Sequence, residues 1–561
     1  MNRLSLINPA VGVSACAIVM SACAPAIQQP ASAPASVDAA RLAEHIRVLS
    51  SDEFEGRSPA SPGEEKTVNY LVEQFRAVGI QPGGANGSWF QEVPLNQYDI
   101  VGTPTLSFTV AGQQQPLTQG EQIAVRASML NVDRVSISNA PVVFVGYGVK
   151  APERNWDDFK GQDMRGKIGL VLVNDPDFET GEGDFGGKAM TYYGRWTYKY
   201  EIAAELEMAG MLVIHETVPA SYGWATVKNS NSNTMFDIVR TNPAEVHPTV
   251  EGWIQRDVAF ELFRAAGHDF EALKRQARTR EFQPVTLNNA TFSAEYAVRQ
   301  STIRTRNVLG RLAGSTRPDE TILYGAHWDH LGIGAPDARG DSIYNGAVDN
   351  AIGTAIVLEL GRVFGAGPRP ERSVVFALWA AEEKGLIGSE YYADNPVYPL
   401  ETTVAGFNID APQPSGPARD IVVVGSGQSE LEDYLARHVI AAGRTVAPDP
   451  APEAGYFYRS DHFPLAKRGA PMLYSKAGVD LVNGGTAAGQ AFDAAYRRDR
   501  YHQPADEYDP ATWNLSGIAQ DATLLHRMGL ELANSRAWPN YRTTSEFRPV
   551  RDASAAQRAG P

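Results

Sequence analysis

From about residue 305 onward, short apolar runs alternate with helical patterns, and this alternation constrains the fold more than any other feature of the chain. The runs 320–326, 373–380, 403–409, 421–424 and 472–475 read as strands. The stretches 349–364, 386–393, 429–442 and 515–532 carry helical spacing, with Ile352, Ile356, Leu360 and Val363 near one face. Alternation of this kind predicts an α/β fold with a mixed, mostly parallel sheet sandwiched by helices. In such sheets, ligands collect outside the carboxyl ends of the strands. His327 and Asp329 follow one predicted strand, Glu382 and Glu383 a second, and Asp410 a third. Three strand ends therefore deliver His, Glu and Asp to one rim. Asp349 and His502 complete the constellation.

Imidazole and carboxylate together suit zinc. Five such ligands, one of them shared, are what two metal ions need, and two metals in one site point to hydrolysis. Cleaving an amide requires an activated water and a stabilised tetrahedral oxyanion. One carboxylate must bridge the ions, and a base must take the proton of the water. The adjacent side chains of Glu382 and Glu383 diverge, so one can hold metal while the other reaches the water.

The chain has 561 residues and 43% hydrophobic content, enough for two or three domains with their own cores. Its net charge of -15 argues against nucleic acid as a partner. The two cysteines, Cys16 and Cys23, lie near the start. There a basic beginning, an apolar run and the small residues Ser21 and Ala22 form an export signal over residues 1–23. Met20-Ser21-Ala22-Cys23 resembles a bacterial lipobox, with Cys23 lipidated; cleavage after Ala24 or Ala33 is the alternative. The expectation is a periplasmic, membrane-tethered or secreted protein without disulfides. Residues 24–36, rich in Pro, Ala, Ser and Gln, read as a linker.

Helices are expected from about Val37, with Leu42, His45, Ile46 and Leu49 on one face, and over 62–78. From about 98 to 292 short apolar runs alternate with turns, which predicts a β-rich module with a helix or two. The last residues, 536–561, rich in Arg, Ala and Pro, are expected to form a flexible tail.

His327-Trp328-Asp329-His330-Leu331-Gly332, Gly346-Ala347-Val348-Asp349-Asn350, Ala381-Glu382-Glu383-Lys384-Gly385, Asn408-Ile409-Asp410 and Tyr501-His502 together resemble the M28 family of zinc peptidases in order and spacing. The resemblance implies a zinc-exopeptidase-like fold over 37–134 and 291–535, two zinc ions, and aminopeptidase activity on peptides. It also implies roles. Asp349 bridges the zincs; His327 and Asp410 complete one, Glu383 and His502 the other. Glu382 is the general base and then acid, Tyr501 hydrogen-bonds the oxyanion, and Asp329 orients the His327 ring. A cis peptide is implied at Asp349-Asn350. Asn155-Trp156-Asp157-Asp158-Phe159 and the run 164–171 resemble a protease-associated (PA) domain, here inserted over 135–290.

His330 reads as packing behind the site. Ser460-Asp461-His462 resembles a segment that the family has near its substrate pocket, and reads as pocket wall rather than a catalytic triad, which adjacency in sequence does not make. Tyr456, Phe457 and Tyr458 are candidates for the same wall. Three alternatives stand beside the aminopeptidase reading. A carboxypeptidase acting on acidic peptides would need clustered arginines, for which Arg339, Arg459 and Arg468 are candidates. A glutaminyl cyclase would use one zinc, and a receptor-like binding module would lack metal ligands.

Overall fold

The computed structural model describes residues 36–334 and 336–558. Cys16, Cys23 and the expected leader lie outside the described residues, as does the linker except for Ser36. Runs of buried apolar residues build the strands: every residue of 372–379 and of 403–408 is buried, the mark of strands covered on both faces. In chain order the strands include β1 (Phe90–Val110), β2 (Ile123–Val125), β3 (Arg134–Phe144), β4 (Ile168–Leu172), β5 (Gly210–His215), β6 (Val250–Gln255) and β7 (Val285–Leu312). After them come β8 (Arg317–His327), β9 (Arg372–Trp379), β10 (Thr403–Asn408), β11 (Asp420–Val423), β12 (Thr445–Pro448) and β13 (Met472–Ala477).

These strands belong to one mixed sheet, ordered β12-β11-β13-β10-β8-β9-β7-β3-β4-β5-β6-β2, with β1 paired antiparallel to β7 off that path. The centre of the α/β part is parallel: β8 lies between β9 and β10, and β13 follows β10 in the same sense. The insert has a parallel centre of its own in β3, β4, β5 and β6. Strand β7 joins the two. Its residues Val308–Leu312 pair with β9, while Val285–Ala297 pair with β3. The expected inner boundary at 290/291 therefore falls within a continuous strand.

The helices include α1 (Ala39–Leu49), α2 (Pro62–Ala77), α3 (Trp196–Glu205), α4 (Ile352–Ala366), α5 (Ile387–Asp394), α6 (His462–Lys467), α7 (Gly485–Asp499) and α8 (Ser516–Asn534). Asp38 caps α1 through the Ala40 N–H, and Ser61 caps α2, where Pro62 holds the first turn. Helices α1, α4 and α8 pack together over one face of the central strands. On that face Tyr324 stacks on Phe407 at 4.8 Å between centroids and donates its hydroxyl to the Leu525 carbonyl in α8. On the other face Leu323, Ala377 and Trp379 form a core with Tyr392 of α5 and Phe463 of α6.

Two expectations are corrected. The helix expected from Asp349 starts at Ile352; Asp349 and Asn350 lie in a turn with non-helical backbone, joined by a cis peptide. The expected flexible tail is packed through the described residues. Tyr541 and Phe547 are buried and touch one another, and the buried Arg551 guanidinium donates to the Thr403 carbonyl. Composition suggested mobility, but aromatic burial and a satisfied arginine hold the segment to the core. Among the described residues, no helix is long and apolar enough to cross a membrane.

Candidate metal centre

The carboxyl ends of β8, β9 and β10 lie side by side, so the residues just beyond each strand share one rim. His327 is the last residue of β8. Glu382 and Glu383 form a short turn beyond β9, and Asp410 follows β10 by two residues. Asp349 enters from the turn before α4, and His502 from the loop after α7. The bends that aim these groups are sharp. Ala381, Ala411 and His502 have φ of 56°, 45° and 57°, conformations that L-residues adopt at a cost and that gather at functional sites. Gly346, at φ 54°, has no room for a side chain: a Cβ there would lie 2.2 Å from the Asp349 carbonyl oxygen.

Asp349 lies between two donor pairs and offers a different oxygen to each. Its Oδ1 is 3.2 Å from His327 Nε2, which is 3.5 Å from Asp410 Oδ1. Its Oδ2 is 3.2 Å from His502 Nε2, which is 3.2 Å from Glu383 Oε2. Ligands bound tetrahedrally to zinc at its usual bond lengths stand about 3.3 Å from one another. His327 Nε2 is buried and lacks a hydrogen-bond partner although acids surround it. A ring nitrogen aimed between carboxylates, not at one, suits a cation. The donor set fits zinc.

Other residues hold these donors. The Asp329 carbonyl accepts from His327 Nδ1 at 3.1 Å, whereas the Asp329 carboxylate is 3.8 Å from that nitrogen. The carboxylate instead accepts from the Glu382 N–H at 3.0 Å and the Glu383 N–H at 3.4 Å. Asp329 thus steadies the ring through its main chain and the glutamate turn through its side chain. His330, expected only to pack, holds Glu383: Nδ1 is 2.6 Å from Oε1. His330 also groups geometrically with Asp349 and Glu383 as a possible metal donor. Its hydrogen-bond distance to Glu383 marks it as support, while His502 stands at ligand spacing. Ser460 donates to Asp410 Oδ2 at 2.7 Å, and Tyr474 to the same oxygen at 3.4 Å.

Two supports were missed in the sequence. Asp506 accepts from the main-chain N–H groups of Val348 and Asp349 and fixes the turn that carries Asp349. Arg57, buried, donates to the carbonyls of Leu49, Trp328, Asn345 and Gly346. Burial lowers its pKa to about 10, against the pull of Asp329 and Asp506. Neither residue sits in a spacing pattern; their partners lie far away in sequence or on the main chain.

Burial pushes the Glu382 carboxyl well above the usual range; His327 opposes this, and Glu383 and Asp410 reinforce it. Burial alone would also raise Glu383, but the His502 and His330 rings overcome it and hold Glu383 low. Neighbours therefore drive the two glutamates apart. Partial burial and nearby Asp349 raise the Tyr501 hydroxyl well above the usual phenol range, so it is a donor at neutral pH. Its ring stacks on His502 with centroids 3.9 Å apart.

Two cavities adjoin the rim. One, of about 240 Å³, reaches Asp349, Glu382 and Asp410 and is walled by Val422, Val424 and Tyr456. The other, of about 400 Å³, runs between the insert and the α/β part to Glu382, Tyr501 and His502. Ser460, Asp461 and His462 form no triad: Ser460 serves Asp410, Asp461 accepts from Ser389, and His462 packs on Phe457. Nor do the three candidate arginines converge. Arg339 pairs with Asp337 and Arg468 with Glu390, while Arg459 lines both cavities.

Residues 307–525 match the model of peptidase family M28. Aminopeptidase NAALADL1 of Mus musculus is 43% identical over 110 residues, 18% of this chain and 13% of that protein. Leupeptin-inactivating enzyme 1 of Streptomyces exfoliatus is 29% identical over 188 residues, 32% of this chain and 39% of that protein. The matches thus span well under half the length of these curated relatives. Among solved structures, the aminopeptidase from Aneurinibacillus sp. strain AM-1 aligns with a TM-score of 0.47 and 18% identity, over 90% of this chain and 95% of that one. All five expected metal ligands and Glu382 fall inside the matched stretch. Residues 307–525 belong to peptidase family M28.

Proposed function

We propose that this chain is a two-zinc exopeptidase that removes amino-terminal residues from peptides. The observation that carries the reading is Asp349, whose two oxygens each lie 3.2 Å from a different histidine nitrogen. His327 and Asp410 would hold one zinc with Asp349, and Glu383 and His502 would hold the other with it. Bound zinc lowers the pKa of water and polarises a carbonyl. Glu382 lines both cavities and is the proton carrier: it takes the proton of the attacking water and returns it to the leaving amine. The Tyr501 hydroxyl donates to the oxyanion. The small cavity holds the amino-terminal side chain. Family M28 and relatives named as aminopeptidases support the reading. A donor set for two ions weighs against a one-zinc cyclase and against a receptor without ligands. Residues 135–290 act as a PA-type cover over the cleft, and the leader exports the chain and tethers it through Cys23.

Glu382→Ala is expected to lower kcat on leucine p-nitroanilide by about 10²–10⁴-fold while two zinc ions per chain remain. Turnover near the wild-type rate in that variant would remove Glu382 from the proposed role.

A further inference from the structure

One wall of the smaller cavity is a segment outside the sheet. Residues 449–459 lead from β12 toward α6 and line the cavity through Asp449, Pro450, Ala451, Tyr456 and Arg459. Their main-chain bonds are local turns, from the Ala454 N–H to the Ala451 carbonyl and from the Tyr458 N–H to the Gly455 carbonyl. Phe457 and Tyr458 anchor the end of the segment in the core of the α/β part, beside Phe463. Its earlier residues lean on the insert: the Met190 N–H donates to the Pro452 carbonyl at 3.1 Å.

The Met190 side chain is buried between two glycines, one from each part of the molecule. A Cβ on Gly455 would stand 2.5 Å from Met190 Sδ, and a Cβ on Gly194 would stand 2.8 Å from Met190 Cγ. Neither position has room for a larger residue beside Met190. Gly455 directly precedes Tyr456, so the contact reaches the cavity wall through a single peptide link. Behind Met190 the insert is held firmly. The Asp175 carboxylate accepts from the N–H and the hydroxyl of Thr191, both at 3.0 Å, and the buried Lys199 Nζ donates to the Tyr193 carbonyl. Tyr192 packs on Phe463 of α6 with centroids 5.4 Å apart. Close-packed interiors of this kind transmit a displacement instead of absorbing it.

We propose that Met190 is a positioning residue for the pocket of the amino-terminal side chain: it wedges the segment 449–456 toward the cavity and so limits the size of side chain accepted. The assignment rests on the exopeptidase reading, which puts that side chain in the 240 Å³ cavity. Met190 lines neither cavity and acts through Gly455 and Tyr456. The insert thus does more than cover the cleft: it sets one dimension of the pocket from behind the wall. Truncating Met190 to alanine leaves space behind Gly455 into which the segment relaxes, while the main-chain bond to Pro452 is kept.

The test compares kcat/KM for phenylalanine and alanine p-nitroanilides in the wild type, Met190→Ala and Met190→Leu. A ratio within one preparation is insensitive to the fraction that folds. In Met190→Ala the ratio is expected to rise toward phenylalanine by about fivefold or more. Met190→Leu refills most of the space and should stay near the wild-type ratio. A contact that serves stability alone would lower both substrates alike. An unchanged or falling ratio in Met190→Ala, or the same shift in Met190→Leu, therefore overturns the assignment. Hydrogen exchange requires no turnover: the amides of residues 451–456 should exchange about tenfold faster in Met190→Ala than in the wild type, and equal rates overturn the wedge. Should the wild type cleave neither anilide, the exopeptidase reading fails, and the exchange rates alone decide whether Met190 braces the segment.

Discussion

His330 shows how much of this centre depends on residues that touch no metal. Its ring supports Glu383 at 2.6 Å, so the carboxylate presents Oε2 toward His502 in one orientation. Removing such a support commonly weakens metal affinity by about 10–100-fold. His330→Ala is expected to do the same, measured by competition with a fluorescent zinc chelator; unchanged affinity would mean that Glu383 is held by other contacts. At this scale the sequence was legible where chemistry and spacing coincide. His327, Glu383 and Asp410 could be named because an imidazole and acids follow three strand ends in order, and Asp349 and His502 because their motifs carry the family resemblance. Arg57 and Asp506 could not, because each works through main-chain groups that no side-chain pattern marks. Asp329 was legible as a support, but its side chain serves the glutamate turn more directly than the His327 ring.

Periodicity located the strands of the α/β part because buried parallel strands are apolar throughout. It placed the start of α4 too early, because Asp349 and Asn350 sit beside a helical pattern and yet form the turn that presents Asp349. It missed the packing of the last residues, where a few aromatics and Arg551 outweigh a polar, proline-containing composition. One contact between elements has a pH signature. His247 lies between Asp237, on the strand Met235–Ile238, and Glu251 of β6. Burial alone would lower its pKa, but Glu251 and Asp237 override this and raise it from 6.5 to about 9. A group raised on folding stabilises fully below its unfolded pKa, and that contribution is lost as pH rises through the folded value. Thermal unfolding midpoints are therefore expected to fall between pH 6.5 and 9 by an amount that His247→Gln removes. The same slope in both proteins would place the titration elsewhere.

The sheet continues from the metal centre into the insert through β7, so the insert is bound to the catalytic part by backbone pairing as well as by side chains. Across the seam, Arg240 approaches Asp394 at 3.6 Å, and Lys467 pairs with Glu201. The β-rich character of the insert was legible in its short apolar runs. The charge arrangement of the seam was not, because partners such as Arg240 and Asp394 are brought together by packing and not by chain order. The function proposed for the molecule turns on Asp349 serving two ions at once. Metal analysis by atomic emission after dialysis against metal-free buffer tests this most directly. Two zinc ions per chain are expected in the wild type, one in Asp410→Ala and none in Asp349→Ala. A wild type that saturates at one ion, or an Asp349→Ala variant that keeps two, would contradict it.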